Sequence, residues 1–377
     1  MTEPQRTAAQ QADESFMRAA LAIGRRGLGV TAPNPAVGTI IVKDGRIVGR
    51  GATQQGGRPH AETVALAEAG DKAQGGTAYV TLEPCSHHGV TGPCADALSR
   101  AGVKRVVSAV EDPDPRVAGR GHQMLRDAGV EVLTGVCVEA ARRANLGHIL
   151  RVTEGRPMVT LKLAETPDGF AAAGSPHDPR LIITGLAANN RVQVMRSMHD
   201  AIMVGVGTVL GDDPLLTVRL PGLEHCTPLR VVLDTHLRIP TRSRVVATAG
   251  ERPLLVIAGE KAPASARKEL EARGVSIEIV ESGPDGHIDL RAALGVLARG
   301  GLTRVFSEGG PQVGGKLIQG GLADDVYIMQ GAKPLGRMGI PALNDVSRAI
   351  LRDPTRYRQA GDFFAGVDHV AQFERVL

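Results

Sequence analysis

The chain has 377 residues, long for one typical domain and in the range of two or three. Its 44 basic and 40 acidic side chains leave a net charge of +4 with no long run of like charge, a poor match to a nucleic-acid binder, which clusters its charge. With 6 Phe, 3 Tyr and no Trp, a row of aromatic rings for stacking bases is also excluded. Four cysteines, Cys85, Cys94, Cys137 and Cys226, are far too few for a disulfide scaffold. The opening "MTEPQRTAAQQADESF" lacks the apolar core of a signal peptide. No apolar stretch reaches the length of about eighteen residues that a membrane span needs. A cytoplasmic protein that binds neither nucleic acid nor membrane is therefore expected.

In chain order, "ADESFMRAALAIGRRG" places Phe16, Ala19, Ala20 and Ile23 at helical spacing and predicts an amphipathic first helix. "VGTIIVKDGRIVGRGA" predicts two strands joined by a tight turn at Asp44-Gly45. "HAETVALAEAG" reads as a helix stopped by Gly70, "TAYVTLEP" as a strand and "CADALSRAG" as a short helix. "KRVVSAV", "GHQMLRDAG" and "VEVLTGV" continue the pattern as strand, helix and strand. Such alternation predicts an α/β sheet with helices on both faces.

A new strand begins after Arg156-Pro157, which places a boundary between residues 1–152 and 153–377. The second part alternates again through "LIITG" as a strand, a helix over "ANNRVQVMRSM", then "AIMVGVGTVL", "LRVVLD", "PLLVIAG", "ARKELEARG", "TRVFSEGG" and "DDVYIM". No internal repeat is visible, so two unlike α/β domains are expected.

The chemistry of the first domain centres on His60 and Glu62 at the start of a predicted helix, followed by Pro84-Cys85 and then Cys94. His-x-Glu followed by Pro-Cys and a second cysteine is the signature of zinc deaminases. Three protein ligands leave one tetrahedral position of Zn²⁺ open to water. The metal lowers the pKa of that water to about 7, and a carboxylate that is not a ligand can move the protons. Two features stand against this reading. Positions i and i+2 of a helix point apart, which separates His60 from Glu62 unless the zinc sits over the first turn. Eight residues separate the two cysteines, where the signature has two. A closed structural site with His87 or His88 as fourth ligand stays open, as does a pair of merely buried cysteines.

The long spacer points to one family. "PCSHHGVTGPC", with "PNPAVG" at 33–38 and "DPDPRVAGRG" at 112–121, resembles the deaminase half of the bifunctional riboflavin-biosynthesis deaminase/reductases. The resemblance runs over roughly residues 15–350. It implies a cytidine-deaminase-like α/β/α domain in which His60, Cys85 and Cys94 bind zinc and Glu62 shuttles protons. It further implies that Asn34 and His87 touch the pyrimidine or its ribose phosphate. Val90 stands where the family often has a basic residue, and Thr53 where it often has histidine.

In the second domain, Gly205-Val206-Gly207 lacks the third glycine of a dinucleotide fingerprint and reads by itself as a tight turn. "SEGGPQVGGKLIQGG" at 307–321 is stronger, since consecutive glycines before a helix let backbone amides approach an anion. Both segments, with "LKLAETPDGF", "IITG" and "VGVGTVLGDDPLLTVR", resemble the family's reductase half, which implies a dihydrofolate-reductase-like α/β fold and NADPH. By that resemblance Glu165, Thr208, Asp212, Thr235, Gly310, Gly314 and Gly315 meet the cofactor. Arg196, Leu216, Arg219 and Glu308 meet the substrate, arginine suiting a phosphate through its planar fork. Departures are Ile182 for the family's Trp, Asn189 for Arg, and Thr166-Pro167 for Ser-Leu before Asp168-Gly169.

The expected protein is thus a two-step enzyme in a homo-oligomer. Its zinc-dependent first domain deaminates a small-molecule pyrimidine ribosylamino phosphate, and its NADPH-dependent second domain reduces ribosyl to ribityl. The rival readings are a nucleic-acid base deaminase with an accessory domain, and a structural-zinc scaffold that binds a nucleotide without turnover.

Overall fold

The computed structural model describes residues 7–87, 92–175, 178 and 181–377. The chain divides into two compact units, Met1–Gly155 and Arg156–Leu377.

In the first unit, helix α1 (Ala8–Gly24) opens with a capping box between Thr7 and Gln10. It leads to the hairpin β1 (Gly38–Lys43) and β2 (Arg46–Ala52). Asp44 and Gly45 both take positive φ there, as the tight hairpin turn demands. Helix α2 (Ala61–Ala69), strand β3 (Thr77–Val80), helix α3 (Cys94–Arg100), strand β4 (Arg105–Ser108), helix α4 (Arg120–Asp127) and strand β5 (Glu131–Thr134) follow. Helices α5 (Val138–Ala144) and α6 (Leu146–Thr153) close the unit. The sheet order is β2-β1-β3-β4-β5, with β3, β4 and β5 parallel.

Three glycines explain how closely the first two helices lie on this sheet. A Cβ on Gly38 would fall 2.0 Å from the Ala20 carbonyl of α1, and one on Gly51 would fall 2.0 Å from the Ala61 carbonyl of α2. Gly49 likewise backs onto Ala65. Because Gly38 pairs with Ala52 and Thr39 with Gly51, Gly38 and Gly51 point to opposite faces. The two helices therefore cover opposite faces, the layering expected from the alternation.

The second unit is built on a nine-stranded sheet with β6 (Met158–Glu165), β8 (Ala201–Gly205), β9 (Leu229–Leu233), β10 (Leu254–Gly259), β11 (Ser276–Val280), β12 (Arg304–Ser307) and β13 (Asp325–Gln330) all parallel. A small sheet pairs β7 (Phe170–Ala172) with β14 (Ile340–Pro341). The final hairpin, β15 (Tyr357–Ala365) and β16 (Asp368–Arg375), adds antiparallel strands beside β13. The helices are α7 (Leu186–Ser197), α8 (Val206–Asp212), α9 (Arg244–Ala247), α10 (Ala264–Glu271), α11 (Leu290–Arg299), α12 (Pro311–Gln319) and α13 (Asp345–Arg352). Ala201 and Met203 of β8 enter one apolar core while Ile202 and Val204 enter another, so the sheet is buried on both faces.

One expected element does not form. "LIITG" (181–185) is not a strand, because its backbone is held by side chains and not by a neighbouring ladder. The Gly185 N–H donates to the Asp368 carboxylate at 2.7 Å. Thr184 and Asn189 bond reciprocally at 3.1 Å through their side chains and the Thr184 carbonyl. The final hairpin and the α5–α6 pair were not anticipated from the sequence.

Candidate functional site

In the first unit the proposed ligands converge at the ends of three elements. His60 is the N-cap of α2, with ψ 158, and so lies outside the helix, while Glu62 occupies its first turn. The rule that i and i+2 diverge thus does not apply. Cys85 follows the C-terminal end of β3, and Cys94 is the first residue of α3. His60 Nδ1 lies 3.6 Å from Cys85 Sγ and 3.4 Å from Cys94 Sγ. The Cys94 N–H donates to Cys85 Sγ at 3.3 Å.

These distances fit a metal. Zinc bonds of about 2.3 Å to sulfur and about 2.0–2.1 Å to nitrogen put tetrahedral N and S ligands about 3.5 Å apart. Two thiolates and one imidazole are also the donor types zinc takes in sites that keep a position open. A hydrogen bond from the Cys94 thiol, with His60 also nearby, holds Cys85 well below the ordinary thiol range, and Cys94 as donor is pushed up. Glu62 is 4% exposed, and burial, reinforced by the charge on Cys85, pushes its carboxyl up to about 7.

The surrounding loops are tied together. The Asn34 side-chain amide donates to the Gly57 carbonyl at 2.8 Å, joining the 33–38 loop to the segment before His60. Thr53 Oγ1 accepts the Val37 N–H at 3.1 Å, so this departure from the family pattern pins the same loop. Arg151 of α6 donates to the Pro33 carbonyl at 3.1 Å, and His148 Nε2 meets Asp112 at 2.9 Å. His87 is half-buried, and its Nδ1 is buried with no hydrogen-bond partner among the described residues. His88 and Val90 lie outside the described residues. Sequence reasoning missed Glu83, Asp112, His148 and Arg151, whose partners are remote in the chain. The quoted "DPDPRVAGRG" and its fixed glycines were the signal available for the Asp112 segment.

In the second unit the candidate residues gather at the C-terminal ends of parallel strands, where open α/β sheets bind ligands. Glu165 ends β6, is 5% exposed, and pairs with Arg348 of α13 at 2.5 Å. Thr208 stands in the first turn of α8, and a Cβ on Gly310 would lie 3.8 Å from its hydroxyl. Gly310 caps α12. Gly314 and Gly315 lie inside that helix: a Cβ on Gly314 would sit 3.1 Å from Leu163, and one on Gly315 3.5 Å from the Ser347 hydroxyl. The missing side chain of Gly314 serves close packing of α12 against Leu163, whereas a Cβ on Gly315 would be in ordinary contact. Thr235 follows β9, where its hydroxyl accepts the Ile288 N–H at 3.3 Å. Asp212 is exposed at the end of α8.

Arg196 and Glu308 meet as a buried bidentate pair, at 2.6 and 3.0 Å. Burial opposes the charge on Glu308, yet Arg196, aided by Lys162 and Arg219, holds it below the ordinary carboxylate range. Lys162 of β6 was not singled out from sequence. Leu216 is buried with φ 52, a left-handed conformation rare for leucine, beside the Thr217 carbonyl that accepts from Arg196. Arg219 is exposed and its N–H donates to Gln193. Of the departures, Thr166 accepts the Phe170 N–H at 3.0 Å, and Asp168 accepts the Leu335 and Gly336 N–H groups at 3.0 and 2.9 Å. The turn before β7 is therefore intact with Thr166-Pro167.

Residues 10–110 match the cytidine and deoxycytidylate deaminase zinc-binding region, and residues 157–350 match the RibD C-terminal domain. A riboflavin biosynthesis protein RibD of Aquifex aeolicus is 37% identical over 97% of this chain and 99% of that protein. The Escherichia coli RibD is 41% identical over 86% of this chain and 89% of its own length. Among solved structures, Acinetobacter baumannii RibD superposes with a TM-score of 0.85 at 34% identity, over 98% of this chain and 100% of that one. A diaminohydroxyphosphoribosylaminopyrimidine deaminase/5-amino-6-(5-phosphoribosylamino)uracil reductase from Thermotoga maritima gives 0.82 at 31% identity, again over 98% and 100%. With both domain models matched and relatives aligned over nearly its whole length, the chain belongs to the RibD family of bifunctional deaminase/reductases of riboflavin biosynthesis.

Proposed function

We propose that the first unit hydrolyses the exocyclic amine of a diaminopyrimidinone ribosylamino phosphate, and that the second reduces the ribosyl chain of the product to ribityl. The observation that carries the first step is the three-donor cluster of His60, Cys85 and Cys94 beside the buried carboxylate of Glu62. Those three residues would hold zinc, which supplies Lewis acidity that makes water nucleophilic at neutral pH. Glu62 takes the first proton from the attacking water and passes it to the ring nitrogen, then takes the second from the hydroxyl so added and delivers it to the departing amine. Water adds at the amine-bearing carbon, the C–N bond breaks, and ammonia leaves. Asn34, held by Gly57, and His87, with its buried ring nitrogen, line the substrate side.

In the second unit Thr208, Asp212, Thr235 and Gly310 line the NADPH groove, with Glu165 held in place by Arg348 at its margin. Gly314 contributes by letting α12 pack closely on Leu163, and Gly315 lies beside it in the same helix. Leu216, Arg219 and Glu308 face the sugar phosphate. Arg196 spends Nε, Nη1 and Nη2 on Glu308 and Thr217, so it orients Glu308 and leaves the phosphate to Arg219. NADPH held in the groove would supply a hydride for sugar C1, with a proton reaching the ring oxygen as the C1–O bond breaks and the ring opens. The protein's part is alignment of donor and acceptor.

The even charge favours a small-molecule substrate over nucleic acid. Among the described helices none is long and apolar enough to cross a membrane, and we place the enzyme in the cytoplasm. Phe364 and Val367, both 71% exposed on the final hairpin, favour a homo-oligomer. A structural-zinc site needs a fourth protein ligand, and among the described residues three donors gather at this cluster. The test supplies the zinc-loaded chain with the phosphorylated diaminopyrimidine. Ammonia release without NADPH, lost on chelation and restored by zinc, is the expected result, whereas release that survives chelation would contradict it.

A further inference from the structure

Glu83 stands two residues before Cys85, and its side chain is 0% exposed. An isolated buried carboxylate is costly unless its charge is met. Among the described residues no arginine or lysine pairs with it, and the His122 ring, 3.9 Å away, has its pKa lowered by burial. Its oxygens are met instead by backbone. Oε1 accepts the N–H groups of Gly121 at 2.9 Å and His122 at 3.2 Å. Oε2 accepts those of Gly119 at 2.9 Å and Asp112 at 3.2 Å.

The donors come from the loop that leaves the C-terminal end of β4 (Asp112 and Gly119) and from the first turn of α4, which that loop enters (Gly121 and His122). Asp112 is at one end of that loop and Gly119–His122 at the other, so a single side chain fastens both ends. Gly119 takes φ 75, which turns its N–H toward the carboxylate. Gly121 is equally constrained, since a Cβ there would lie 1.9 Å from the Pro84 carbonyl and 3.2 Å from Glu83 Oε1. Two further ties hold the same loop: Ser86 Oγ donates to the Arg116 carbonyl at 3.4 Å, and Asp112 meets His148 of α6 at 2.9 Å.

Glu83, Glu111 and His122 also place donor atoms within 4.8 Å of one another, in the manner of a cation site. The four N–H bonds to Glu83 exclude that use, because those amides already point positive charge at both oxygens. What remains is a clamp between two loops at the ends of adjacent parallel strands. One loop carries Cys85, and the other runs through Asp112 and Asp114 along the edge where ligands bind.

We propose that Glu83 is a positioning residue of the deaminase site. It fixes the 112–121 loop against the Cys85 loop, so that the substrate-side wall and the zinc ligands form one rigid body. This rests on the deaminase reading of the His60–Cys85–Cys94 cluster. The clamp acts on substrate placement and not on metal retention, since the three ligands are also anchored by α2, β3 and α3.

Glu83→Gln keeps the shape but turns an NH₂ toward two of the four N–H donors. In the zinc-loaded full chain, amide hydrogen exchange at Asp112 and Gly119–His122 is expected to speed up while zinc stays at one per chain. KM for the phosphorylated pyrimidine is expected to rise about tenfold or more, the range typical of residues that orient a metal site's neighbours, with a smaller fall in kcat. Reductase turnover should be unchanged. Gly121→Ala attacks the same contact from the other loop and should give the same signature, which keeps the test available if Glu83→Gln does not fold. Unaltered exchange in the loop, a lowered Tm with wild-type KM and kcat, or loss of zinc as the sole cause of lost activity would each overturn the proposal. A wild-type chain that releases no ammonia would instead sink the deaminase reading, with the exchange experiment still deciding whether the clamp exists.

Discussion

Arg196 and Glu308 face each other fork to fork, Nε to Oε1 at 2.6 Å and Nη2 to Oε2 at 3.0 Å, while Nη1 donates to the Thr217 carbonyl at 2.7 Å. Neither side chain is more than 15% exposed. Removing one member of such a buried pair strands the other, at a cost of about 3–5 kcal/mol. Arg196→Ala is therefore expected to destabilise the second unit by that order and to abolish NADPH oxidation, with ammonia release intact. Arg196→Lys keeps the charge without the fork and should recover stability only in part. Chemical denaturation alongside the two activity assays checks both variants.

Glu62 has a separate prediction. A positioned acid–base group contributes about 10²–10⁴-fold to rate. Glu62→Gln should reduce ammonia release by that order while zinc content, measured by metal analysis, stays at the wild-type level. Retained activity in the variant would leave the buried carboxylate without a role.

His199 gives the clearest pH dependence. It is buried beside Phe306, with Nδ1 2.6 Å from the Met195 carbonyl and Nε2 2.9 Å from Thr160 Oγ1. A neutral ring satisfies both contacts, donating from Nδ1 and accepting at Nε2. Burial, then the charge on Arg304, pushes its pKa down from 6.5 to about 3. The folded value lies below the unfolded one, so the unfolded chain binds the proton first as pH falls. Stability from this group is complete above 6.5 and declines between 6.5 and about 3. The slope for one proton is about 1.4 kcal/mol per pH unit. His199→Gln lacks this group, so the gap in thermal stability between wild type and variant should narrow from pH 7 to pH 5. A gap that stays constant would contradict the assignment.

Ile182 is 85% exposed on a segment fixed by Gly185 to Asp368 and by Thr184 to Asn189. If it packs against the cofactor's nicotinamide end, losing that contact removes about 1.5 kcal/mol, the lower end for burying an aliphatic side chain. Ile182→Ala should then raise KM for NADPH by about tenfold and leave Tm unchanged, since the side chain touches little in the free protein. An unchanged KM would place Ile182 away from the cofactor.

The His60–Cys85–Cys94 cluster was legible because metal chemistry restricts residue types: imidazole, two cysteines and a nearby carboxylate can be read as letters. Its geometry was less so. That His60 caps α2 from outside, which lets it and Glu62 share a site, depends on backbone angles. Glu83 was invisible because its partners are backbone N–H groups 29 to 39 residues away, which leave no side-chain type to read in the sequence beyond two glycines. The glycines of 307–321 looked alike in sequence, yet Gly310 caps a helix while Gly314 makes room for Leu163. "LIITG" has strand composition but no strand, because Asp368 and Asn189 take the bonds that a ladder would have used. Thr166 illustrates the reverse, a departure from the family pattern that keeps its turn through a hydroxyl.

One chain is proposed to carry out hydrolysis and then reduction of the same substrate. The most direct measurement is the mass of the products formed from the phosphorylated diaminopyrimidine by the zinc-loaded chain, with and without NADPH. Replacement of NH by O is expected in the absence of NADPH, and a further gain of two hydrogens when NADPH is present. Hydrolysis with no gain of hydrogen on adding NADPH would contradict it.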